Sequence, residues 1–566
     1  MKLDRHEIVA RLREIASLLD LHGGNKFKAR AFARGARALE ASRQPIERMI
    51  EENRLEELPG IGVALRLQIE ELHRTGSSEL LESLRKGLPA GVLELSQVGV
   101  GLHAIQRLHE ELGISTVAEL KRAATEGRLR DVKGYGEKRE KRILDAIAKH
   151  EAGGPRILLS EGLRLARSLE DEIASLPGVE SVHLAGSLAR SAELSDDVRL
   201  VAESEAPARA IARVAKMPRV ATIERDDESS CRLRLADGTR VEVVACAERS
   251  LATTLVHESS TAAHWEALAL RAESRGFVLG ADGLARDGER VALADERDLY
   301  DALALPFVPP EQREEAPTGE SFDDLVALGD VRGFVHCHTD WSDGKGTIEE
   351  MARAAKERGA AFITITDHSR AAFYAGGLDV ERLEAQWDAI DEAAERVGIR
   401  IFKGTEADIL ADGAIDWPDR ILERLDVVIA SIHARHRQDE AAMTERVLRA
   451  MRHPVFKIWG HPMGRLVTSR PPIPLRVEEV LDAIAESRGA IEINGDPHRL
   501  DLEPRWAREA RKRGIPFVVS VDAHAMRELD NVKYAVGLAR RAGIRRGEVL
   551  NAQGPSAFAR AVKPAA

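Results

Sequence analysis

Val335-His336-Cys337-His338-Thr339-Asp340-Trp341-Ser342-Asp343-Gly344 is the stretch from which the rest of the chain becomes readable. Gly333 to His338 reads as a short buried strand, on which residues i and i+2 face the same way. His336 and His338 are therefore expected to point together, with Cys337 on the opposite side. Asp343 comes next in a Ser-Asp-Gly turn at the C-terminal end of the strand, where α/β folds place their chemistry. Imidazole and carboxylate at this spacing suit a borderline divalent metal such as Zn, Mn or Fe. A lone His-x-His is a weak motif, so its meaning depends on the rest of its domain.

The same arrangement repeats along residues 324–566, a region that alternates strands and helices and holds half of the chain's 18 histidines. Ile363-Thr364-Ile365-Thr366 ends in Asp367-His368, and Ile401 to Thr405 ends in Glu406. Val427 to Ser431 ends at His433, Lys457 to Gly460 ends in His461, and Phe517 to Val521 ends in Asp522-Ala523-His524. Active sites of (β/α) barrels are built from the ends of successive strands in this way. His436, His453 and His498 fall outside the pattern and read as ordinary side chains.

The 566 residues suffice for several domains, each with its own core. No run of eighteen apolar residues offers a membrane span. The start, MKLDRHEIVARLREIASLLD, lacks the apolar segment of a signal peptide. Cys231, Cys246 and Cys337 are isolated thiols, which fits a reducing cytoplasm. The net charge of -11 is unevenly spread: residues 1–150 carry 27 Lys+Arg against 23 Asp+Glu, so the remainder carries the acid. A mildly basic head on an acidic body is compatible with DNA held by the head.

That head reads as helices with hairpin turns. Leu58-Pro59-Gly60-Ile61-Gly62 lies between two helical patterns, Val98-Gly99-Val100-Gly101 precedes a third, and Val132-Lys133-Gly134-Tyr135-Gly136 precedes Lys138 and further basic residues. Glycines at such turns let the backbone fold tightly, and N–H groups opening the next helix can grip a phosphate. Three copies within about 80 residues predict sequence-independent binding to the DNA backbone. The middle copy lacks proline and basic residues and reads as structural.

This arrangement resembles the N-terminal part of bacterial family X DNA polymerases (PolX), whose head, an 8-kDa-like plus fingers-like unit at 1–150, binds gapped or nicked DNA. The resemblance implies a polymerase-β-like α+β palm and thumb at 155–310. A Gly-Ser with two arginines, an Asp-x-Asp and a third Asp are the family's palm pattern. Here Gly186, Ser187 and Arg190 match the first part, Ala189 replaces one arginine and Asp197 matches the first carboxylate. Arg199 occupies the second carboxylate position and Glu242 the third. Two-metal nucleotidyl transfer needs converging carboxylates, and a cation at Arg199 opposes them. The expectation is a palm fold that has lost synthesis; the alternative is weak gap filling with Asp196 as a displaced carboxylate. A Schiff-base lyase is not expected, because no lysine occurs between Ala29 and Arg85. Residues 311–323, rich in Pro and Glu, read as an extended linker.

Residues 324–566 are similar to the PHP (polymerase and histidinol phosphatase) domain that bacterial PolX carries at its C-terminus. The resemblance implies a distorted (β/α)7 barrel with up to three metals on nine residues. His336, His338 and Asp522 would hold one metal, and Glu406 would bridge to a second held by His433 and His461. Asp343, His368 and His524 would hold the third. The Glu492-Ile493-Asn494 strand also looks like the family, and Arg465 is a candidate phosphate contact. The implied activity is a metal-dependent (Mn, Zn or Fe) 3'-5' exonuclease of DNA repair. The alternative readings are a histidinol-phosphatase-like enzyme tethered to DNA and a binding scaffold without activity.

Overall fold

The computed structural model describes residues 5–22, 26–41, 46–58, 60–86, 88–89, 91–98, 100–132, 135–153, 156–235, 238–436 and 438–562. Gly99 and Gly134, together with Pro59 and Lys133, lie outside them. The fold is an all-α helix-hairpin-helix head, a palm and thumb, and a nearly closed barrel of seven parallel strands.

In the head, helices such as Arg5–Leu21, Lys26–Ala41 and Val63–Thr75 bury one apolar stripe each around Leu12, Ile15, Ile69 and Leu72. This core is separate from that of the rest of the chain.

The palm is a five-stranded sheet. Its strands are β1 (Ser181–Ala185), β2 (Val198–Glu203), β3 (Val220–Asp226), β4 (Ser230–Leu235) and β5 (Arg240–Cys246), in the order β1-β2-β5-β4-β3. The β2–β5 pair is parallel and sets Arg199 beside Glu242; the antiparallel β4–β5 pair sets Arg232 on its other side.

The barrel strands are β6 (Gly333–Cys337), β7 (Phe362–Ile365), β8 (Arg400–Asp408), β9 (Val427–Ser431), β10 (Lys457–Trp459), β11 (Gly489–Asn494) and β12 (Phe517–Ser520). They pair in sequence order, all parallel. Strands covered on both faces read as continuous apolar runs, as Val427-Val428-Ile429-Ala430 does. Phe362, Phe402 and Phe558 pack in a cluster at the strands' N-terminal ends, the last from the helix Pro555–Val562. Apolar filling therefore occupies one end of the barrel and polar side chains converge at the other.

Closure comes from the segment quoted first. His338 N–H donates to Ala523 O at 2.8 Å, and Ala523 N–H donates to His336 O at 3.0 Å. These two bonds interleave His336 and His338 with Asp522 and His524. The strand is not regular, as simple alternation assumed: His336 has φ 65°, and the β6–β7 register shifts between Phe334 and Cys337.

Residues 311–323 differ from the extended spacer expected of their composition. Three of their four glutamates are ion-paired: Glu311 takes Arg540 at 2.6 Å, Glu314 takes Arg541 at 2.6 Å, and Glu320 takes Arg545. Arg313 is fully buried, on Glu296 and Ser259. The segment is a strap that ties thumb to barrel.

Candidate metal centre

Three overlapping donor groups meet at the C-terminal ends of the barrel strands. His336, His338 and Asp522 form one, His338, Asp343, His368 and His524 another, and His368, Glu406 and His433 a third. Within each, the donor atoms lie within 4.8 Å of one another. His461 sits beside the third, its Nε2 2.9 Å from Glu406 Oε1. All nine residues named from the sequence thus share one pocket, but the grouping differs in detail. His368 takes the place implied for His461, and His338 joins the group of Asp343.

Local backbone explains the convergence. Glu406 N–H donates to Thr366 O at 3.0 Å and Ser369 N–H to Glu406 O at 2.9 Å, which sets His368 beside Glu406. His336, His461 and Asp522 have positive φ, at 65°, 26° and 49°. Non-glycine residues in that region carry strain that surrounding structure must hold, a feature concentrated at functional sites.

A second layer went unnamed as site residues in the sequence reading. Glu492, fully buried, lies 2.5 Å from His336 Nδ1 and accepts the His461 backbone N–H. Asp408 faces His433 Nδ1 at 3.3 Å. Asp367 accepts from Thr339 Oγ1 (2.6 Å), Gln386 Nε2 (2.6 Å) and Ser342, fixing the turn that carries Asp343. Carboxylates behind imidazoles orient the rings and raise their basicity. The available signal was a charge inside a fully buried strand, as at Glu492.

Burial opposes any charge here, so neighbours decide which groups carry one. Against burial, Glu492, Glu406 and Asp522 hold the His336 imidazole well above its ordinary value. Glu406 and Asp343 likewise raise His368 to about 10. His433 rises to about 9 beside Glu406 and Asp408, and His524 to about 9 beside Asp343 and Asp522. His338, facing His524 and His368, is pushed by burial and those imidazoles down to about 3. Glu406 and Asp522 are held well below the carboxylate range by the imidazoles around them, despite burial.

The buried donors suit a cation. His336 Nε2, both ring nitrogens of His338, His368 Nδ1, His433 Nδ1, His461 Nδ1 and Glu406 Oε2 have no hydrogen-bond partner. Leaving so many buried polar atoms without a hydrogen-bond partner is costly unless something else takes them. Imidazole and carboxylate together fit Zn, Mn or Fe.

Arg465 corrects an expectation. It is buried, bonded to Arg499 O and Leu500 O, and paired with Glu193 of the palm at 3.0 Å and Glu503 at 3.2 Å. Committed to that interdomain tie, its guanidinium is not free for a phosphate.

The palm carboxylates are arranged otherwise. Arg199 lies among Asp197 (3.4 Å), Glu242 (2.8 Å) and Glu258 (2.9 Å), and Arg232 adds a second contact to Glu242 at 3.0 Å. Ser187 and Arg190, candidates for phosphate contact, are bonded internally to Ser195 (2.5 Å) and Ser259 O (2.9 Å). Gly186, at φ 68°, lets the turn pass Arg199, whose Cβ would lie 2.9 Å from an added methyl. Asp196 pairs with Arg156 at 3.1 Å.

In the head, Gly60 has φ 85°, and Gly62 and Gly101 cap the helices Val63–Thr75 and Leu102–Leu112. Gly136 precedes the helix Glu137–Gly153, on which Lys138 is exposed. A Cβ added at Gly62, Gly101 or Gly136 meets nothing within 4 Å, so these helix starts are open to a ligand backbone.

Strand-end imidazoles and carboxylates on a parallel barrel, behind a hairpin head, define a PHP-type metal-dependent phosphoesterase that binds DNA. The family models agree: helix-hairpin-helix domain at 4–78, SAM-like helix-hairpin-helix tandem at 94–149, DNA polymerase beta thumb at 254–314 and PHP domain at 335–496. The "DNA polymerase/3'-5' exonuclease PolX" of Bacillus subtilis (strain 168) is 32% identical over 560 residues, 97% of this chain and 98% of that protein. The chain belongs to the PolX family. Its C-terminal part also matches proteins named probable phosphatases. One from Thermoanaerobacter sp. (strain X514) is 32% identical over 38% of this chain and 88% of its own length, and one from Caldanaerobacter subterraneus is 34% identical over 38% and 85%. Among the described residues no helix is long and apolar enough to cross a membrane.

Proposed function

We propose that this chain is a cytoplasmic DNA-repair nuclease that trims 3' ends through its barrel and no longer performs templated synthesis. The observation that carries the reading is the convergence of nine donor side chains, six of them with buried atoms that have no hydrogen-bond partner, on a chain whose head offers open helix starts to DNA. His336, His338, Asp343, His368, Glu406, His433, His461, Asp522 and His524 would hold up to three ions, Mn, Zn or Fe. When bound, clustered divalent ions lower the pKa of water and stabilise the charge of a phosphoryl transition state. The chain's own residues do the rest. Glu492 fixes the ring of His336, Asp408 faces His433 as a charge, and Asp367 holds the Asp343 turn. The open helix starts at Gly62 and Gly136, with Lys138, hold the phosphate backbone of gapped, nicked or 3'-ended DNA without reading sequence, and the start at Gly101 extends the same face. In the palm, Arg199 supplies the positive charge that two metals would otherwise bring.

His336→Ala and Asp522→Ala should each abolish Mn-dependent degradation of a 3'-labelled oligonucleotide while DNA binding by anisotropy persists. Retained cleavage would refute the assignment. The probable phosphatases that match only the barrel favour a second reading, hydrolysis of a small phosphomonoester. Histidinol phosphate turned over faster than the oligonucleotide would select it. Primer extension on a gapped template above an Asp197→Ala control would restore synthesis to the account.

A further inference from the structure

The loop leaving β7 at His368 returns to it ten residues later, where Leu378 N–H donates to His368 O at 2.8 Å. It is tied down throughout. Ala371 N–H donates to Asp416 at 2.6 Å, and Arg382 Nη1 donates to Gly376 O at 2.8 Å. A Cβ at Gly377 would lie 2.0 Å from Ser369 O, so the loop closes this tightly only on glycine. Ser369, Ala372, Ala375 and Leu378 are buried, yet Phe373 is 84% and Tyr374 62% exposed.

Two adjacent aromatics held in solvent on a fixed loop are conspicuous in a chain with only 4 tyrosines and 12 phenylalanines. Their place is the mouth of the metal centre. The loop springs from His368, a donor of the centre, and Arg382 bonds both Gly376 O and Trp341 O, while a Cβ added at Gly376 would lie 3.4 Å from Ser342 O, beside Asp343. Arg499 stands at the donors themselves, its Nε 3.2 Å from Asp522 Oδ2. Arg470 lines a cleft of about 600 Å³ between palm and barrel, with Arg156 and Arg541. Guanidinium groups suit phosphates, and exposed rings suit the faces of unpaired bases.

We propose that Phe373 and Tyr374 form a stacking platform for the unpaired 3'-terminal bases of a DNA strand whose backbone runs past Arg470 and Arg499 to the metal centre. The proposal rests on the nuclease reading and names how that site selects its substrate. Stacking accepts any base, which matches a head that grips backbone alone. A small phosphomonoester has no terminal base to place there.

The test compares two single-stranded oligonucleotides in Mn with the full chain: one of ordinary thymidines, the other with tetrahydrofuran in place of its last two nucleosides. Wild-type kcat/KM should favour the ordinary end by about 10- to 100-fold. In Phe373→Ala/Tyr374→Ala that ratio should fall close to one, at unchanged metal content, and Phe373→Trp/Tyr374→Phe should restore it. A wild type indifferent to the missing bases, or a double alanine variant that keeps the wild-type ratio, overturns the platform and leaves the nuclease reading standing. A metal-loaded wild type that cleaves neither oligonucleotide overturns both.

Discussion

The palm and the barrel each gather acidic side chains within a few ångströms, and they neutralise them in opposite ways. In the palm, Asp197, Glu242 and Glu258 surround the guanidinium of Arg199, a cation built into the chain. In the barrel, Glu406 faces five imidazoles, and ring nitrogens remain unmatched. A guanidinium is permanently charged and fills its site. Imidazoles can release their protons and yield to a divalent ion. One side chain at position 199 thus separates a closed electrostatic unit from a loadable one.

The comparison can be broken most severely from the barrel side. Glu492→Gln weakens the support behind His336, and metal affinity by calorimetry should fall about 10- to 100-fold, with activity falling in step. An unchanged affinity would mean that the ring needs no carboxylate behind it. From the palm side, Arg199→Met leaves three carboxylates facing one another. Unfolding free energy should drop by about 2 kcal/mol, less than for a fully buried pair because the guanidinium is partly exposed. In the His336→Ala background, Arg199→Asp should make the palm bind Mn, seen as thermal stabilisation by Mn that the single variant lacks. No such gain would show that charge alone does not distinguish the two sites.

The mildest test is pH. His368, at about 10, and His433 and His524, at about 9, are raised above 6.5, so their charged forms stabilise the metal-free fold. That contribution is complete below pH 6.5 and drains away as pH rises through 9 to 10. Chelator-treated protein should therefore lose melting temperature between pH 6.5 and 9.5. Metal-loaded protein, its donors already deprotonated, should not.

Much of the barrel was legible because most donors sit at or just past the C-terminal end of an apolar strand, a pattern that repeats with the fold's own period. The supporting groups were less so. Glu492 and Asp408 lie within strands, where sequence shows a buried charge but not its partner. The left-handed turn at His336 was hidden, since alternation along a strand assumes regular backbone. Residues 311–323 looked like a spacer because the arginines that hold their glutamates lie more than 200 residues away. Arg465 was misread for the same reason: its partner Glu193 belongs to another domain. Arg199, by contrast, shows in the sequence as a cation beside acids, and it lies in contact with Asp197, Glu242 and Glu258.

The two bonds joining His336 and His338 to Ala523 make completing the cylinder and assembling the donor set a single event. A growing polypeptide that has not yet delivered its seventh barrel strand lacks Asp522 and His524 and has no seam. Hydrolytic power therefore waits on the seam between strands that stand first and seventh in the barrel, however complete the five between them.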